Sequence, residues 1–174
     1  MNEQQIKKII RNVPDFPKKG IQFKDLTTAF LKAECNRWLE EKLTEHYKEL
    51  GITKVCGIES RGFIIAPLVA KNLSLGFVPV RKKGKLPADT IEESYSKEYG
   101  IDTIEIHKDA ITENDVVMIH DDLLATGGTM LAAIHLMKKA GVKRIYTSFL
   151  VELDDLKGRD ILQKEAEVFS LIHY

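Results

Sequence analysis

Thirteen residues carry more chemistry than any other stretch of the chain: Val117-Met118-Ile119-His120-Asp121-Asp122-Leu123-Leu124-Ala125-Thr126-Gly127-Gly128-Thr129. An apolar strand ends in two acids, and a short loop with two glycines leads into a helix. Gly127 and Gly128 permit close backbone approach and unusual dihedrals. Successive amides from Ala125 to Thr129, at the start of a helix, form a nest suited to a phosphate monoester. Thr126 and Thr129 add hydroxyl donors. Asp121 and Asp122 repel phosphate. They fit polyol hydroxyls, such as those of a ribose, or Mg²⁺ held indirectly through hydroxyls or water. Arg61, Arg81 and Lys85 offer charge for a second anionic group. The implied ligand is a sugar with phosphate at one end and further negative charge elsewhere. The loop lacks the terminal Gly-Lys-Ser/Thr of a nucleoside-triphosphate P-loop and is not a Gly-x-Gly-x-x-Gly dinucleotide loop. A plainer reading stands beside this one: paired acids before a Gly-Gly turn, and Arg81 to Lys85, are also what solvated loops contain.

The elements that must position these residues are legible from periodicity. Apolar runs at Lys54–Ile58, Gly76–Val80, Asp115–Ile119, Arg144–Val151 and Glu165–Ile172 predict strands. Helical spacing predicts helices near Ile6–Val13, closed by Pro14, over about Lys32–Leu50, from Gly62 toward Leu73 with Pro67 near its start, and over Thr129–Ala140. Strand, helix, strand reads as parallel βαβ, so the expected fold class is α/β with a mainly parallel central sheet flanked by helices. Ligands bind such sheets at the carboxyl ends of strands. Pro14 to Gly20 reads as a rigid connection and Ile21 to Leu26 as a short extended piece. Residues 82–107 are polar and alternate late, which predicts a two-stranded flexible flap turning near Gly100. Trp38 is expected in a helix core. Asp154-Asp155 is expected in a solvated turn with Leu156 packed.

Bulk properties narrow the class. The chain has 174 residues, enough for one domain with a sizeable core, and residues 1–174 are read as one domain. Lys plus Arg and Asp plus Glu both number 26, which argues against a broad nucleic-acid-binding surface. Cys35 and Cys56 show no metal spacing and read as buried free thiols, as in a reducing compartment. No leader pattern or long apolar run is present, so no membrane contact is expected and the cytoplasm is the expected location.

With these motifs in place, the chain resembles the type I phosphoribosyltransferases, most closely their adenine branch. Besides the acid-pair loop, four blocks match in order: Pro14-Asp15-Phe16-Pro17 through Gly20-Ile21-Gln22-Phe23-Lys24-Asp25; Glu59-Ser60-Arg61-Gly62-Phe63; Arg81-Lys82-Lys83-Gly84-Lys85-Leu86-Pro87; and Tyr95-Ser96-Lys97-Glu98-Tyr99-Gly100. The resemblance runs from about Ile6 to Arg159. It implies the type I fold with its β-hairpin flap and a small N-terminal hood, residues 1–31, that binds the base. It implies transfer of the phosphoribosyl group from 5-phosphoribosyl 1-pyrophosphate to adenine, giving AMP and pyrophosphate, with Mg²⁺ and a homodimer. Mg²⁺ would be held mainly by the substrate and water, with no direct protein ligand. Ala125, Thr126, Gly127, Gly128 and Thr129 would hold the 5′-phosphate, and Asp121 and Asp122 the ribose hydroxyls. Arg61, Arg81 and Lys85 would face pyrophosphate, Arg81 reaching a neighbouring subunit's site. Phe23 would stack on adenine while the backbone of Gln22 and Lys24 reads its edge. Glu98 matches the acid/base residue.

Some readings stay open. Phe23 in an Ile-x-Phe alternation is otherwise core, and Glu98 beside Lys97 is otherwise an exposed flap residue. Tyr95 and Tyr99 pack the flap or touch substrate. Against the family pattern, His120 stands where valine is common and is either a buried neutral histidine, the reading preferred, or one that faces the ligand; Lys24 replaces an arginine, and Thr27-Thr28-Ala29-Phe30 departs from the usual run. The competing functions are a 6-oxopurine phosphoribosyltransferase and a non-catalytic nucleotide-sensing regulator. The balanced charge and the intact Glu98, Arg81 and Asp121-Asp122 speak against the regulator.

Overall fold

A computed structural model describes residues 1–97 and 100–174, and of Lys97 the backbone alone. Along the chain run α1 (Glu3–Ile9), β1 (Arg11–Pro14), β2 (Gln22–Asp25), α2 (Thr27–Phe30), α3 (Ala33–Tyr47), β3 (Lys54–Ile58), α4 (Gly62–Asn72), β4 (Gly76–Lys82), β5 (Thr90–Lys97), β6 (Gly100–His107), β7 (Val116–Leu124), α5 (Gly128–Lys139), β8 (Arg144–Glu152), α6 (Gly158–Leu162) and β9 (Glu167–His173). Seven strands make one sheet in the order β5-β6-β4-β3-β7-β8-β9, and β1 and β2 pair separately. The β4, β3, β7, β8 and β9 strands pair in parallel, while β6 joins β4 and β5 antiparallel. The expected α/β class with a mainly parallel sheet is the observed one.

Alternation along β7 explains the layers. Val117 and Ile119 pack on one face with Met130, Ala133, Ile134 and Met137 of α5. Met118 packs on the other with Leu39, Leu43 and Tyr47 of α3 and Ile65 and Val69 of α4. A strand covered on both faces needs a near-continuous apolar run. Each Leu or Ile buried this way contributes about 1.5–3 kcal/mol relative to exposure. The two cysteines are buried free thiols, and burial pushes the Cys56 thiol up.

Several local expectations are corrected. The first helix stops at Ile9, and Val13 and Pro14 lie in β1, because Val13 pairs with Phe23 across the small antiparallel sheet. Pro67 is the sixth residue of α4, an interior position rather than a start. The strand predicted to end at Ile119 continues through both acids to Leu124, since β8 supplies a parallel partner as far as Glu152. Leu156 is 47% exposed in a 3-10 turn, Asp154–Leu156, and is not packed. Trp38 is only partly buried at the edge of the second core. The predicted hairpin is present as β5 and β6, but its base belongs to the main sheet, where Ile104 and Ile106 are core.

Candidate active site

The order of strands reverses beside β3: the chain goes from β3 outward to β4, then returns to β7 on the other side. A crevice opens at the carboxyl ends of strands at such a switch. Two loops enter it, Glu59–Gly62 after β3 and Ala125–Gly127 after β7.

The second loop is shaped by glycine. Gly127 caps α5 at φ +84°, a left-handed conformation open to glycine without a side-chain clash. The loop is braced from outside by Gly158, where a Cβ would collide with the Ala125 carbonyl oxygen. The amide of Leu153 also donates to Leu124 O at 2.9 Å. Ala125 to Thr129 thus line a cavity of about 500 Å³, together with Asp121, Leu123, Leu124, Met130, Phe149 and, from the hairpin, Tyr95 and Ser96. The Thr129 hydroxyl donates to Tyr95 Oη at 3.3 Å, so the hairpin touches the loop directly.

A second cavity of about 490 Å³ is lined by Glu59, Ser60, Arg61, Lys82 and Asp121. Asp121 belongs to both. Gly62 brings the cavities together: a Cβ there would meet His120 O at 2.6 Å, so the start of α4 lies directly on β7. That approach sets Arg61 Nε 2.8 Å from Asp122 Oδ2. Asp122 is 1% exposed. Burial pushes its carboxyl up, with Arg61 opposing. Burial and the adjacent Asp122 charge raise Asp121 as well, so the pair favours retaining a proton.

Arg81 is turned toward Glu59, with Nε to Oε2 at 3.2 Å and Nη2 to Oε1 at 3.3 Å, and its Nη1 donates to Lys85 O at 3.3 Å. Arg81 and the Lys82 amide hold the Glu59 carboxyl below its ordinary range. Lys85 is exposed, and its amide donates to the buried Glu105 at 3.0 Å. The structure therefore brings Arg61 to the acid pair but sets Arg81 and Lys85 beside Glu59 and Glu105, and Lys82 lines the second cavity in their stead. Sequence reasoning quoted Glu59 and Lys82 within motif blocks but gave no role to either, nor to Glu105. Glu59 carried a signal, a lone acid at a strand end in a fold with a basic cluster on the next strand.

Phe23 is half-buried in neither core; it meets Phe16 edge-on at 5.2 Å, and Arg61 Cζ lies 5.7 Å from its ring centroid. The alternative of Phe23 as core is thereby set aside. Gln22 accepts from Asn12 Nδ2 at 2.7 Å. His120 is fully buried with Nδ1 3.0 Å from Ser148 Oγ. Burial lowers it to about 3, so it is the neutral histidine expected. Glu98, the acid/base expectation, and Tyr99 lie outside the described residues.

Among the described residues, Glu152, Asp154 and His173 place ligand atoms within 4.8 Å of one another and could hold a divalent cation. A cation there competes with Arg159, which already takes both Glu152 oxygens at 2.9 and 2.6 Å. Among the described residues, no helix is long and apolar enough to cross a membrane.

The profile of the phosphoribosyl transferase domain matches residues 26–172. An adenine phosphoribosyltransferase of Bacteroides thetaiotaomicron is 55% identical over 172 residues, 99% of this chain and 98% of the relative. The chain belongs to the adenine phosphoribosyltransferase family. Solved structures of family members agree. The Giardia lamblia enzyme, complexed with 9-deazaadenine, superposes with a TM-score of 0.95 at 45% identity, covering 100% of this chain and 98% of that one. The Saccharomyces cerevisiae enzyme, complexed with an imino-altritol bisphosphate and adenine, gives 0.91 at 40% identity over 98% of each chain.

Proposed function

We propose that the two cavities meeting at Asp121 hold the two halves of 5-phosphoribosyl 1-pyrophosphate. This chain transfers the phosphoribosyl group from that substrate to adenine, giving AMP and pyrophosphate. The observation that carries the assignment of parts is the shared wall: one carboxylate borders both a backbone-amide loop and a basic cavity. In this reading Ala125 to Thr129 bind the 5′-phosphate through amides and hydroxyls. Asp121 and Asp122 accept hydrogen bonds from the ribose hydroxyls. Arg61 neutralises the pyrophosphate end, Lys85 joins it from the β4 loop that Glu59 and Glu105 keep in place, and Arg81 serves a neighbouring subunit's site.

Residues 1–31 act as the base hood: Phe23 stacks on adenine, and the Gln22 and Lys24 backbone reads its edge. Residues 82–107 act as the flap over a single domain, 1–174. As the C1′–O bond to pyrophosphate breaks and adenine N9 attacks, the ribose gains cationic character. Fixed donors then stabilise charge growing on the leaving group, and holding both substrates in line supplies a large share of the rate. Glu98 takes the proton adenine must lose. Mg²⁺, when bound, supplies charge neutralisation on pyrophosphate. The donor set suits a cation held through substrate oxygens and water, because Asp122 faces Arg61 rather than a free coordination space. The functional unit is a homodimer in the cytoplasm that engages neither nucleic acid nor membrane.

Purified protein with 5-phosphoribosyl 1-pyrophosphate, Mg²⁺ and each purine base in turn tests the reading. AMP from adenine alone is expected. Equal or better turnover of hypoxanthine would overturn the base assignment.

A further inference from the structure

Tyr174 joins three parts of the molecule. Its hydroxyl donates to the Lys7 carbonyl of α1 at 3.2 Å. Its ring carries the Lys24 ammonium 4.3 Å from the centroid and the Lys7 ammonium at 5.4 Å. Its backbone is tied to the end of β8, its amide donating to Glu152 O and its carbonyl accepting from the Asp154 amide, both at 2.9 Å. Neighbouring side chains on an extended strand face opposite sides. On β2, Lys24 faces Tyr174, and Phe23 faces Phe16 and Arg61. β2 pairs with a strand only four residues long, in a sheet of two, where Asn12–Gln22 and Arg11–Asp25 tie it to β1, while Tyr174 ties it to the end of the main sheet.

We infer that Tyr174 is a positioning residue for base recognition: by clamping the Lys24 side chain and the Lys7 backbone, it fixes the tilt of β2, and with it the Phe23 ring and the Gln22 and Lys24 backbone. The inference rests on the base-hood reading above. It also gives the lysine at position 24 a purpose, since its ammonium ends on the ring while its main chain stays available. Truncating Tyr174 to alanine removes two cation–π pairs and a hydrogen bond.

The test is steady-state kinetics with each substrate varied, on wild type, Tyr174→Phe, Tyr174→Leu and Tyr174→Ala. Tyr174→Ala is expected to raise KM for adenine about tenfold and leave KM for 5-phosphoribosyl 1-pyrophosphate within about twofold. Tyr174→Phe keeps the ring and restores most of the adenine KM. If the alanine variant does not fold, Tyr174→Leu, which keeps apolar bulk, is read by the same criterion. Lys24→Met should raise the adenine KM in the same direction and add little to Tyr174→Leu in the double variant. An unmoved adenine KM, or equal rises for both substrates, overturns the inference. Failure of the wild type to use adenine would count against the base assignment instead. A ring-current upfield shift of the Lys24 ε-methylene protons, absent from Tyr174→Leu, checks the clamp without reference to activity.

Discussion

His120 shows how a buried histidine is accommodated by its neighbours. It is fully buried, bonded to Ser148, and depressed to about 3, whereas an unfolded histidine titrates near about 6.5. Below that unfolded value the unfolded chain takes up a proton that the folded chain refuses, so this residue costs stability as pH falls from about 6.5 toward 3 and costs none above it. Between pH 7.5 and pH 5 the expected loss from His120 is about 2 kcal/mol. Urea unfolding of wild type and His120→Val at both pH values checks this: the pH-dependent loss should shrink by that amount in the variant, and an unchanged loss would refute it. For the acid/base role proposed for Glu98, Glu98→Ala is expected to lower kcat about 10²–10⁴-fold with little change in binding of 5-phosphoribosyl 1-pyrophosphate. Near-normal turnover would remove Glu98 from the chemical step.

The loop after β7 depends on an element far along the chain. Gly158 opens α6, and a methyl group there would collide with the Ala125 carbonyl, which is backbone and has no rotamer to escape into. Gly158→Ala must therefore shift the loop or α6. The expected result is a rise of about tenfold or more in KM for 5-phosphoribosyl 1-pyrophosphate, with a smaller effect on adenine, read by steady-state kinetics. An unaffected KM would mean the loop tolerates displacement. The hairpin is bound to the same loop by Tyr95 and Thr129 and to α5 by the ion pair of Lys139 with Glu93. The expectation of a polar, flexible flap does not describe its base, where Ile104 and Ile106 are core.

Across the molecule, the proposed site draws on β2, the β3–α4 loop, the β4 loop, the hairpin and β7, with the α6 start as its brace, segments that come together only in the folded state. A ligand bound by all of them stabilises that state and not the unfolded chain. At a 5-phosphoribosyl 1-pyrophosphate concentration about 100-fold above Kd, the expected gain is about 2.7 kcal/mol. It is read as a concentration-dependent rise in Tm. Adenine bound at the hood should raise Tm further by the same mass action. A flat Tm with the sugar substrate would contradict binding in the joined cavities.

The class of fold, five parallel-sheet strands, the glycine loop after β7 and the branch of the family were legible in the residues alone, because these follow from local periodicity and from contiguous motifs. The choice between a buried and a ligand-facing His120 was decided by packing, which closes it off completely beside Ser148. That β7 runs on through Asp121 and Asp122 emerged only on folding, because strand length depends on the partner β8 supplies. Packing likewise placed Arg81 on Glu59 and Glu105 under the Lys85 loop, pairs twenty-two and twenty residues apart in sequence. The clamp of Tyr174 on Lys24 was invisible before then, as it joins opposite ends of the chain. Local pattern specifies which elements form; which charge meets which is fixed when packing brings distant loops to one crevice.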